Sequence, residues 1–200
     1  MNPAPASNPP AFRAIPDLIR EHARAEPGRR ALALCEGGAA RAIDYATLDA
    51  RMDRVAAALQ RDGLQAGDAI ALCAATSTDY ATVYLGALRA GVVVAPLAPG
   101  STPEAFARML ADAGARRLFT DAGSANTVGS AGLGSVPRIS LDGSATGQPL
   151  EDWLAAPGSH PAPVAIEPGW PFNIIYSSGT TGTPKGIVQS HGMRWAHVMR

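Results

Sequence analysis

The chain reads as an α/β protein: a parallel-sheet layered subdomain with flanking helices. Two observations predict this. Between Ala69 and Thr120, short apolar runs alternate with amphipathic stretches of helical spacing, the pattern of parallel strands joined by right-handed helical crossovers. Further on, the apolar run Phe172–Tyr176 feeds a turn rich in Gly, Ser and Thr, and ligands of such sheets gather at the carboxyl ends of strands.

Composition narrows the class. At 46% apolar residues over 200, the chain carries enough hydrophobic material for a packed core. Formal net charge is zero and no basic block occurs, which argues against a nucleic-acid surface. No stretch reaches spanning length without charge or proline. The opening MNPAPASNPPA has no basic start and no apolar centre, so residues 1–11 read as a flexible tail rather than a signal peptide. A soluble, cytoplasmic protein is expected. Residues 12–200 form the α/β portion.

The elements follow in order. Pro16 suits the first turn of a helix; Leu18, Ile19, His22 and Ala23 share one face, and Pro27-Gly28 ends it. Ala31–Glu36 and Ala42–Tyr45 read as strands around Gly37-Gly38. A long helix spans roughly Ala46–Asp62, with Leu48, Met52, Val55, Ala56 and Leu59 as its inner stripe and Gly63 past its end. Ala69–Ala74 is a buried strand. Thr76–Asp79 offer caps for a helix whose Tyr80, Tyr84, Ala87 and Leu88 line one face, and Gly91 stops it. Val92–Ala95 is the next strand. Thr102 and Pro103 start a helix with Phe106, Met109, Leu110 and Ala113 inside, and Arg117–Thr120 is a further strand. Residues 121–169 read as a variable connector holding one strand candidate (Val136–Leu141) and one helix candidate (Leu150–Ala155). Trp153 and Trp170 are expected as packing anchors at its ends, and His160, between prolines, as exposed. Cys35 and Cys73 lie in apolar runs and read as buried free thiols. After Gly186 come a brief apolar step, Ile187-Val188, and a helix from Ser190 or His191. His191 is expected to cap that helix or touch the preceding loop.

The turn at 176–186 carries the chemistry. Tyr176-Ser177-Ser178-Gly179-Thr180-Thr181-Gly182-Thr183-Pro184-Lys185-Gly186 holds five Ser/Thr hydroxyls, three glycines and no acidic residue. Glycines let a ligand approach the backbone closely, and hydroxyls with backbone N–H groups converge on anions. Pro184 biases Thr183 towards extended backbone. Lys185, the chain's one lysine, is a mobile point charge suited to a phosphate. A Walker A loop is excluded, because Gly186 rather than Ser or Thr follows the lysine.

The string YSSGTTGTPKG resembles the phosphate loop of the adenylate-forming superfamily, which includes acyl-CoA synthetases, aryl-CoA ligases, peptide-synthetase adenylation domains and luciferases. AIDYATLDARMDRVAAALQRDGLQAGDAIAL and LRAGVVVAPLAPGSTPEAF resemble earlier blocks of that fold, with Asp44 standing where the family usually has Thr or Ser. The resemblance implies ATP-dependent activation of a carboxylic acid as an acyl-adenylate, then transfer to CoA. A carrier-protein-loading module and a truncated, non-catalytic nucleotide-binding domain are the alternatives. It implies that Ser177, Ser178, Gly179, Thr180, Thr181, Gly182, Thr183 and Lys185 bind the β- and γ-phosphates of ATP, with Lys185 also catalytic. Mg2+ would bridge the phosphates, its acidic ligand lying downstream, and no metal ligand is assigned here. The carboxylate nucleophile, ionised above a pKa of roughly 4.3, needs no general base. The family's acyl pocket, ribose-binding aspartate and mobile C-terminal domain have no counterpart in these residues, so a fragment inactive by itself is expected.

Overall fold

In the central strand β3 (Ala69–Cys73) every residue is buried, so the strand needs cover on both faces. Its side chains alternate accordingly. Ile70 and Leu72 join one core cluster with the long helix α2 (Tyr45–Arg61) and α3 (Thr78–Arg89); Ala71 and Cys73 join another with α4 (Pro103–Asp112) and α5 (Ala125–Ser130). The computed structural model describes residues 11–36, 39–131, 133–143, 147–177 and 184–200.

The remaining strands complete a seven-stranded sheet. They are β4 (Val93–Pro96), β5 (Ala115–Thr120), β6 (Arg138–Ser140), β7 (Gln148–Pro149), β8 (Pro171–Ser177) and β9 (Lys185–Ser190), in the order β7-β6-β5-β3-β4-β8-β9. All neighbours run parallel except β8 and β9, which form an antiparallel pair. The α/β class with a largely parallel sheet is therefore as the sequence predicts. A separate antiparallel hairpin, β1 (Arg30–Glu36) with β2 (Ala39–Asp44), and the helix α1 (Ile15–Ala25) pack on α2.

Capping explains where the helices start. Asp44 accepts from Thr47 N at 2.8 Å, so the residue that departs from the usual Thr or Ser does the same work. Ser77 caps α3 through Tyr80 N at 3.0 Å, and Thr102 caps α4 through Ala105 N at 3.2 Å. Helices α2 and α3 touch at Gly86, where a Cβ would lie 2.6 Å from that of Val55.

Three expectations change. The apolar step at Ile187-Val188 is part of a six-residue strand. The helix α6 spans only Leu150–Trp153, and β7 precedes it. The connector is also more firmly held than its composition suggests. Gln60 exchanges hydrogen bonds with the backbone of Ala162, at 3.0 and 2.7 Å, while Arg54 and Arg61 donate to the carbonyls of Ala155 and Trp153, each within 2.9 Å. Trp153 is an anchor as expected: it is buried, edge-on to Phe119, and its Nε1 donates to Asp62 at 2.9 Å. His160 is 79% exposed, yet its Nδ1 lies 2.7 Å from the buried carboxylate of Asp53, a contact the sequence did not suggest. Asp53 is buried, which would raise its carboxyl, but His160, Arg89 and Arg20 outweigh that and hold it below the ordinary value.

Candidate phosphate-binding hairpin

The site is built at the carboxyl end of β8. Strand β4 lies beside β8, paired at Val94 and Asn173. From β4 the chain turns back across β3 to β5, whereas from β8 it continues outward to β9. Adjacent parallel strands whose connections diverge leave a crevice at their carboxyl ends, the usual place for a ligand in an open α/β sheet. Strand β8 ends there, at Ser177, where the segment joining it to β9 begins.

The ladder between β8 and β9 fixes both ends of that loop. Ser177 stands opposite Lys185, Tyr176 opposite Gly186, Ile175 opposite Ile187 and Ile174 opposite Val188. Directly opposed residues of an antiparallel pair share a face, so Ser177 and Lys185 lie side by side. Both are exposed, and among the described residues Lys185 has no ion-pair partner. Ser178, Gly179, Thr180, Thr181, Gly182 and Thr183 lie outside the described residues. Of the predicted site, the structure places Ser177 and Lys185, and brings them together.

Below the loop the hairpin is anchored in the core. Phe172 and Asn173 are buried, and Asn173 Nδ2 donates to the Tyr84 hydroxyl of α3 at 2.8 Å. The helix α7 (His191–Val198) follows β9 directly. Its cap is Ser190, which accepts from Met193 N at 3.2 Å, so His191 is not the cap. The His191 ring is instead buried edge-on against Phe172, centroids 5.0 Å apart. Burial pushes its imidazole down to about 4, which keeps it neutral and gives it a packing role. The pairing of Tyr84 with Asn173 escaped the sequence reading, because nothing local marks a buried amide 89 residues from its partner.

The donor set suits an anion. An exposed ammonium beside a serine at the mouth of a hydroxyl- and glycine-rich segment offers hydrogen bonds and positive charge to a polyphosphate. It offers a dication nothing comparable: among the described residues no group of three or more His, Cys, Asp or Glu converges.

Residues 19–199 match the family model described as AMP-binding enzyme. This chain belongs to that family. Among the curated members of the AMP-binding family it is 33% identical to a 3-hydroxybenzoate–CoA ligase of Aromatoleum sp. (strain CIB), over 78% of this chain and 30% of that protein. It is 31% identical to the fatty acid–[acyl-carrier-protein] ligase ScoC of Streptomyces coeruleorubidus, over 91% of this chain and 34% of the relative. The chain thus spans about a third of the length of these AMP-binding relatives. A solved fatty acyl CoA synthetase of Mycobacterium tuberculosis superposes over 89% of this chain and 34% of its own, with a TM-score of 0.74 at 24% identity; that likeness concerns the fold. Among the described residues no helix is long and apolar enough to cross a membrane.

Proposed function

We propose that this chain supplies the triphosphate-gripping part of an ATP-dependent ligase. Such an enzyme activates a carboxylic acid as its acyl-adenylate, with pyrophosphate leaving, and then passes the acyl group to CoA. The observation that carries the reading is the β8–β9 hairpin, which sets Ser177 against Lys185 at the carboxyl end of a parallel strand, astride a run of Ser, Thr and Gly. Membership of the AMP-binding family supports it.

In this reading Ser177, Ser178, Gly179, Thr180, Thr181, Gly182 and Thr183 hold the β- and γ-phosphates of ATP. Lys185 follows the charge that develops on the departing pyrophosphate. The carboxylate of the acid attacks the α-phosphorus, and the bond from that phosphorus to the bridging oxygen of pyrophosphate breaks. The acid is already ionised near neutrality, so the protein need not remove a proton. Positioning and charge stabilisation carry the rate. Mg2+ on the phosphates, CoA as acceptor and a cytoplasmic location belong to the same proposal.

A second acceptor has specific support, since ScoC is named as a ligase for an acyl-carrier protein. One experiment separates these readings. The full-length protein is assayed for acid-dependent ATP–pyrophosphate exchange across aliphatic and aromatic acids, then for acyl transfer to CoA or to a carrier protein. Exchange with transfer to CoA is the expected result. Exchange with transfer only to a carrier protein moves the chain to the second reading. ATP binding without exchange on any acid leaves a non-catalytic nucleotide-binding protein and overturns both.

A further inference from the structure

Tyr176 is the last residue of β8 but one, and its hydroxyl donates to Oδ2 of Asp112, the final residue of α4, at 2.7 Å. Opposite Tyr176 in the ladder stands Gly186. A Cβ on Gly186 would come within 3.0 Å of Ile174 Cγ2 and 3.2 Å of both Asp112 Oδ2 and Tyr176 Cε1. The phenol ring, the carboxylate and Ile174 therefore converge over the bare backbone of Gly186, and a side chain there would press on all three. Tyr176 touches both arms of the hairpin and a helix outside it.

Faces alternate along a strand. Tyr176 and Gly186 share the side towards α4, so Ser177 and Lys185, one rung further out, share the opposite side. Tyr176 does not lie where a ligand of Lys185 would. It lies where the hairpin leaves the core: Phe172 and Asn173 are buried, Ile174 to Tyr176 half-buried, and Ser177 and Lys185 to Val188 exposed. Among the described residues, the bond to Asp112 is what ties these outer rungs to another element by a side-chain hydrogen bond.

We propose that Tyr176 is a positioning residue for nucleotide binding: held by Asp112 and seated on Gly186, it fixes the outer rungs of the hairpin to α4 and so fixes where Ser177 and Lys185 meet the triphosphate. The inference rests on reading the hairpin as the phosphate site. Burial and the neighbouring Asp112 carboxylate both push the phenol up from its ordinary value, so it remains a hydrogen-bond donor throughout the neutral range.

The test uses the full-length enzyme. Tyr176→Phe keeps the ring over Gly186 and removes the donor; Asp112→Ala removes the acceptor; Asp112→Asn keeps a carbonyl acceptor. ATP–pyrophosphate exchange gives KM for ATP and kcat separately, and hydrogen exchange of the Lys185–Ile187 amides reads the hairpin without any ligand. Tyr176→Phe and Asp112→Ala are each expected to raise KM for ATP about 3- to 10-fold, the scale of one lost hydrogen bond to a charged partner. The double variant should be no worse than either alone, Asp112→Asn should keep most of the affinity, and both single losses should speed exchange of those amides. An unchanged KM and unchanged amide exchange in Tyr176→Phe overturns the proposal. So do multiplying effects in the double variant, or a lower melting temperature with KM untouched. Wild-type enzyme that neither exchanges pyrophosphate nor binds ATP sinks the phosphate reading instead, and amide exchange then still decides whether the tether holds the hairpin.

Discussion

The buried ring of His191 makes the stability of this chain depend on pH in a window that carboxylates do not share. The residue is 2% exposed and its imidazole is pushed down from 6.5 to about 4 by burial. Folded, it stays neutral through mild acid; unfolded, it takes a proton near its ordinary value. The unfolded chain therefore binds more protons between those two limits, and stability falls as pH drops. The contribution is fully present above about pH 6.5, is lost progressively on the way down, and stops changing below about pH 4, where both states are protonated. At about 1.4 kcal/mol per tenfold, the gap corresponds to roughly 3 kcal/mol. His191 sits on α7 at the edge of the molecule, beside exposed Met193 and Val198. Passing from about pH 7 to about pH 4.5 crosses most but not all of that window, so the expected swing is about 2 kcal/mol. Asp53 and Asp62 are held below 3.8, so their contributions are present above that value and are lost only as pH falls through the lowered ones. Urea unfolding at about pH 7 and about pH 4.5 isolates the effect when wild type is compared with His191→Phe, which cannot titrate. The wild type should lose about 2 kcal/mol more than the variant between the two conditions. Parallel pH profiles for the two proteins would refute a neutral, buried imidazole.

Three further perturbations test separate parts of the structure. Lys185→Ala in the full-length enzyme should slow adenylation about 10²-fold while leaving the unfolding midpoint in place; an unchanged rate removes Lys185 from the chemistry. Gly86→Ala drives a methyl against Val55 and Met52 and should cost about 1–3 kcal/mol in urea unfolding, and a neutral result would mean that α2 and α3 can separate freely. Asp53→Ala leaves the buried Arg89 with Asp49 as its remaining carboxylate partner and releases His160; a loss of about 3 kcal/mol is expected, with faster proteolysis between Ala156 and Ala162. Intact resistance to proteolysis would show that Arg54, Gln60 and Arg61 hold the connector without Asp53.

Much of the fold could be read along the chain. The alternation from β3 to β5, the caps at Ser77 and Thr102, and the stripe Leu48, Met52, Val55, Leu59 all rest on local periodicity and local hydrogen bonds, which a sequence displays directly. Strand β9 could not be read whole, because Ile187 and Val188 are both exposed and an edge strand wet on both faces shows no alternation. Strand β7 is two residues long and contains a proline, too short for any period. The firm seat of the connector was hidden for another reason: its partners Arg54, Gln60 and Arg61 look like the ordinary solvated face of a helix until the chain folds back on them.

The candidate site divides in the same way. The hydroxyls, glycines and solitary lysine at 176–186 announced the family and suggested an anion site, because they lie in eleven consecutive residues. The sequence could not supply the register that sets Ser177 against Lys185, nor the reach of Tyr176 to Asp112 across 64 residues. Residue type and local spacing decide which groups a loop can offer. Which way they point depends on strands and helices distant in sequence packing against each other, and only the tertiary structure decides that.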